Sequence, residues 1–146
     1  MGNLTVRGMA GGSSGLEVDT DQKMGVITLG GANKADFCAG AKYRHASNVG
    51  DLYSTQGAIK SVAITGWRGA SGYLFVDSNF SAATIGKCIL KNVNYSNASL
   101  AFGVWGQRIA SVKLVDTAAP SDPTANFTWK PGSSAPAADL NILLLT

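Results

Sequence analysis

Ile59-Lys-Ser-Val-Ala-Ile-Thr-Gly66 places apolar side chains at its first, fourth and sixth positions and a glycine at its eighth. The same apolar-x-x-apolar-x-apolar pattern returns in residues 24–29, 85–90 and 109–114, opened by Met24, Ile85 and Ile109. Leu4-Thr-Val6 and Leu140-Asn-Ile142 carry the closing pair without the leading residue. The first members of these pairs stand at 4, 27, 62, 88, 112 and 140, so the steps are 23, 35, 26, 24 and 28 residues. Residues at i and i+2 share one face of a strand, and the residue between them points to the other. Further strand-like pieces lie between the repeats, among them Leu16-Glu-Val18, Tyr73-Leu-Phe-Val76 and Leu100-Ala-Phe-Gly-Val104. Units of this length, built of short strands, predict the stacked coils of a parallel β-helix, whose core is closed only by neighbouring coils.

The expected fold is therefore an all-β solenoid of about six coils, spanning residues 1–146 as one domain. One inward row holds Val6, Leu29, Ile64, Leu90, Leu114 and Ile142. The next holds Leu4, Ile27, Val62, Cys88, Val112 and Leu140. An insertion at 32–57 and a Pro-rich loop at 118–138 interrupt the repeat. The competing reading is a β-sandwich or jelly roll, which also uses short alternating strands. Hairpins of that kind favour Asn-Gly and Asp-Gly turns, and the chain contains neither dipeptide.

Composition points the same way. Charged residues are 14% of the chain, hydrophobic residues 45%, and glycines number 18. Eight of the nine acidic residues are Asp, and helical surfaces are usually filled with Glu, Lys, Gln and Arg. The net charge of +3 comes from 12 scattered cations, without the clustered patch that phosphate binding needs. No apolar run approaches the ~20 residues of a membrane-spanning helix. Met1-Gly2 leads directly into Leu4-Thr5-Val6, so no secretory leader is expected in this stretch, which reads as a segment of something longer.

Ile59-Lys-Ser-Val-Ala-Ile-Thr-Gly66 and Ile109-Ala-Ser-Val-Lys-Leu-Val115 resemble coils in degenerate parallel β-helix regions of large secreted or surface-attached bacterial proteins. Phe75-Val-Asp-Ser-Asn-Phe-Ser-Ala-Ala-Thr-Ile-Gly86 is similar to them as well. The resemblance covers most of the chain and implies an extracellular or cell-surface scaffold, in a surface layer, fibre or adhesin. It does not imply an enzyme.

No residues suggest catalysis, and no cofactor or metal set is expected. Hydrolytic β-helices need paired carboxylates, and the only close acidic group, Glu17, Asp19 and Asp21, reads as a solvated strand face. Cys38 and Cys88 are too far apart for a metal pair; Cys88 stands in a row of aliphatic residues and is expected as a buried thiol. Three sets of residues are candidates for function. Leu4 and Val6 at one end, with Leu140, Ile142 and Leu144 at the other, form bare β-patterns suited to end-to-end assembly with copies of the chain or further coils. Trp67 and Trp105, with Tyr43, Arg44 and His45 of the insertion, are candidates for a ligand or interface, a glycan being the alternative partner. Asn3, Asn79, Asn94, Asn97 and Asn126 open N-x-[ST] sequons that a secretory route would glycosylate. A viral coat or fibre subunit is a further reading of a small, low-charge all-β chain.

Overall fold

The computed structural model describes residues 2–44, 49–52, 54–121, 123, 125–134 and 140–144. It is all-β, with a parallel sheet of many strands and no helix among the described residues. The strands are β1 (Gly2–Thr20), β2 (Lys23–Ala39), β3 (Ala41–Arg44), β4 (Val49–Leu52) and β5 (Ala58–Ile64). They continue with β6 (Phe75–Val76), β7 (Asn79–Lys91), β8 (Phe102–Val115), β9 (Thr128–Trp129) and β10 (Leu140–Leu144). Neighbours run β1-β2-β5-β7-β8-β10, all paired in parallel, where a hairpin-built sandwich would pair them antiparallel.

The long strands bend, and their pairing separates into three rows. The first row stacks residues 2–6, 23–29, 58–64, 84–91 and 108–115. The second stacks 16–20, 35–39, 79–82, 102–106 and 140–144. A narrow third row joins 9–11, 31–33, 75–76 and Val93. In the first row Leu4 pairs with Ile27, Ile27 with Val62, Val62 with Cys88 and Cys88 with Val112.

The repeat's leading residue explains the bend inside that row. In a straight strand, residues three apart face opposite sides. Ile59 and Val62 are nonetheless both buried, as are Ile85 and Cys88. Pairing between β5 and β7 skips Lys60 and Gly86, and this irregularity turns both members of each apolar-x-x-apolar pair inward. Close backbone approach enforces glycine there, because a Cβ on Gly86 would overlap the Lys60 carbonyl oxygen.

Leu140 and Ile142 belong to a different row from the one expected. They pair with Phe102 and Val104, not with Val112 and Leu114, so they extend the second row. The far end of the first row is closed instead by β9, antiparallel to β8, with Trp129 opposite Val112. The extra length after β2 also starts later than the sequence suggested, since residues 32–39 complete β2. Residues 40–57 then carry the antiparallel β3–β4 pair.

The inward side chains form one core. Phe37 and Phe80, paired in the second row, stack at 5.1 Å between ring centroids, and Phe75 of the third row lies 5.7 Å from Phe80. Offset stacks of this kind add to the area they bury.

Candidate functional site

Two places in this fold hold side chains that ordinary packing does not use up. The first is the β1 end of the sheet. Ile27, Val62, Cys88 and Val112 are each at most 2% exposed, because a strand lies on both sides of them or β9 does. Leu4, Val6 and Val18 take equivalent inward positions on β1 but are only partly buried against the core. Met9 and Leu16 of the same strand are exposed. A hollow of about 280 Å³ lies between the two ends of β1, lined by Leu4, Val18, Met24 and Ile27 with Asn3, Asp19 and Lys23 at its rim. Among the described residues β2 is the one strand that β1 pairs with.

The second place is a cleft at the corner that follows the first row. Gly66 and Asn92 each stand two residues after an inward pair, and both have positive φ, 78° and 48°. Glycine takes this conformation freely, and Asn is among the few other residues that do. Asn92 ties the corner together. Its side-chain carbonyl accepts from the backbone N–H and the hydroxyl of Thr117, each at 2.9 Å. Its main-chain carbonyl accepts from the N–H of Leu74 at 2.8 Å. Asp116 turns its carboxylate to the N–H groups of Ala118 and Ala119 at 2.8 and 3.3 Å.

Above this floor lie two adjoining hollows of about 340 and 420 Å³, which share Ala70, Asn92 and Thr117. Trp67, Arg68 and Lys91 line the first, and Tyr73 and Asp116 the second. Trp67 is 39% exposed and Tyr73 60%. The indole is seated on the backbone of Gly30, where an added Cβ would come within 2.9 Å of Cε3. Lys91 Nζ donates to the Thr65 carbonyl at 3.4 Å.

The other sequence candidates fall elsewhere. Trp105 is 2% exposed and its indole N–H donates to Asn79 Oδ1 at 2.9 Å, so it offers no surface to a ligand. It lies on the outer side of the second row beside Ser81, whose hydroxyl donates to the Ala41 carbonyl of the segment folded over that side. Tyr43 and Arg44 are in β3, opposite Gly50 and Val49, while His45 lies outside the described residues. Asn79 is no accessible sequon: it is buried, its amide donates to Asp36 at 2.8 Å, and its carbonyl accepts from Gly103 and Trp105. The amide groups of Asn97 and Asn126 donate to Asp77 and to the Ala119 carbonyl. Asn3 is exposed and accepts from the Val26 N–H, and Asn94 accepts from that of Ser96. Leu140 and Ile142 are buried, and Leu144 is exposed.

Both cysteines are free and buried. Burial pushes the Cys88 thiol up to about 12. Cys38 rises to about 11, chiefly by burial, against a lowering hydrogen bond with Ser81. Neither is primed as a nucleophile at neutral pH. Among the described residues no three His, Cys, Asp or Glu side chains gather where a metal ion could bind. Arg68 and Tyr73 share the loop between β5 and β6 with Trp67, while Lys91 arrives from the end of β7 on the next pass; no periodic signal in the sequence joins the four. Comparison with protein-family models, curated proteins and solved structures finds no match.

Proposed function

We propose that this chain is a non-enzymatic β-solenoid module, extracellular or at the cell surface, whose β1 end stacks against another β-coil. The solenoid reading rests on the order in which the chain visits its rows. From β1 onward it passes first, third, second, then first again, and repeats that cycle through β8. A chain circling one axis in this way buries its inward face only through its neighbours.

One observation carries the stacking. Inward positions that are closed in every later strand of the first row stay half-open in β1, around that hollow. A further coil supplies the missing apolar cover. In a solution of this chain alone, a second copy provides that coil. Because β9 covers the far end of the first row, open-ended head-to-tail growth is obstructed there. Two β1 ends meeting about a two-fold axis give a closed pair instead. The extracellular placement is supported by the low charge and the resemblance of the repeat.

Light scattering across ~1 µM to ~1 mM, the range of modest protein affinities, should give a species of twice the 15.0 kDa chain mass. Leu16→Lys, at a position already exposed, should leave the circular-dichroism spectrum unchanged and return a monomer. A wild-type monomer at every concentration, or a variant that pairs equally well, overturns the stacking. Protease treatment of intact cells that leaves the protein untouched overturns the surface location.

A further inference from the structure

We propose that the corner cleft between Trp67 and Tyr73 binds a short anionic oligosaccharide, one that carries uronic-acid carboxylates. Sugar rings have an apolar C–H face and a polar rim, so they pair with an exposed aromatic ring beside hydrogen-bonding groups. The cleft presents two such rings, one above each hollow. The combined hollows fall within the ~300–1,000 Å³ typical of small-ligand sites. The seat of Trp67 on Gly30 and the Asn92 bonds to Thr117 and Leu74 fix the floor before any ligand arrives. A preformed site loses less freedom on binding.

Charge selects the ligand within that class. Arg68 and Lys91 both line the Trp67 side. The one carboxylate in the lining, Asp116, faces the Tyr73 side and is turned to two backbone N–H groups. The Trp67 half is therefore cationic, and it suits a ring carboxylate. Two cations are too few to hold a nucleic acid by its phosphates. The apolar lining beyond the two rings is Ala70 and Ala118 with the buried Leu74, which leaves no deep pocket for the anchoring side chain of a peptide.

Trp67 meets the backbone of Gly30 beside the Arg7 and Gly8 carbonyls of β1, so the site adjoins that end and is tested on the monomeric Leu16→Lys variant as well as on the wild type. Calorimetric titration with an alginate tetramer and with cellotetraose compares an anionic with a neutral chain of equal length. We expect saturable alginate binding, with cellotetraose at least about tenfold weaker. Tyr73→Ala, at a position exposed enough to spare the fold, should weaken both sugars. Trp67→Ala should abolish both, provided its thermal melt stays cooperative. The double variant Arg68→Gln/Lys91→Gln should lose the preference for alginate and keep the weak binding of cellotetraose. Absence of saturable binding up to ~10 mM, or undiminished binding by Tyr73→Ala, overturns the site. Equal affinity for the two tetramers overturns the anionic assignment. Tighter binding of a short single-stranded DNA overturns the saccharide assignment.

Discussion

Cys88 shows how one residue reads differently in sequence and in the folded chain. It sits in register between Val62 and Val112, in a row otherwise filled by aliphatic side chains. Its thiol is held neutral up to about 12 by burial. A thiol whose folded pKa is raised above the ordinary value of 9.0 stabilises the fold fully below that value. The contribution is lost as pH climbs from there toward the folded value, at about 1.4 kcal/mol per pH unit for one group. Urea melts should therefore show stability falling between about pH 9 and 11. Cys88→Val should remove about half of that slope, the rest being due to Cys38, whose thiol rises to about 11, and change stability at pH 7 by less than about 1.5 kcal/mol. A slope of unchanged size in the variant would place the alkaline loss elsewhere. The row itself was legible from the repeat, because a Cys in a Val position behaves as a small hydrophobe. The role of Asn79 was not. Its sequon suggested a surface turn, yet its amide joins Asp36, Gly103 and Trp105 across three strands. Nothing local in the sequence marks a polar side chain whose partners arrive from 43 residues before and 24 and 26 after.

At the scale of elements, the first row was the most legible part of the fold. Its signal is an apolar pair preceded by a third apolar residue, and the skip at Lys60 and Gly86 explains why that third residue counts. Leu140-Asn-Ile142 lacks the leading residue. So does Phe102-Gly-Val104, the strand it joins in the second row. Period alone could not separate two rows with the same alternation, nor could the absent leader, since Leu4-Thr-Val6 lacks it too and still joins the first row. β9 escaped notice because two residues leave no periodic signal. Its effect on packing is large, since Trp129 covers the last strand of the first row and the Phe127 carbonyl accepts from the Leu114 N–H at 2.9 Å. Trp129→Ala should cost about 3–5 kcal/mol in an unfolding titration. It should also give the far end of the first row the exposure that β1 already has. A loss under about 1 kcal/mol would mean that β9 is an ornament rather than a cover.

For the whole molecule, the covering of the second row decided more than any repeat could. Residues 40–44 fold over its outer side, so Cys38, Ser81 and Trp105 are buried on a face that alternation alone assigns to solvent. The sequence marked the insertion as extra length but held no sign of which face it would cover. The order of strands has a mechanical consequence. β1 and β10 lie at opposite ends of the path β1-β2-β5-β7-β8-β10. Tension applied between them acts along the inter-strand hydrogen bonds, so the bonds are peeled in turn instead of sheared together. Release of 23-, 35-, 26- or 24-residue steps at ~3.4 Å per residue predicts length increments of roughly 80–120 Å under single-molecule pulling. One abrupt rupture of the full length would contradict that mode. Under such a pull the chain is expected to lengthen by degrees while the strands not yet reached stay paired.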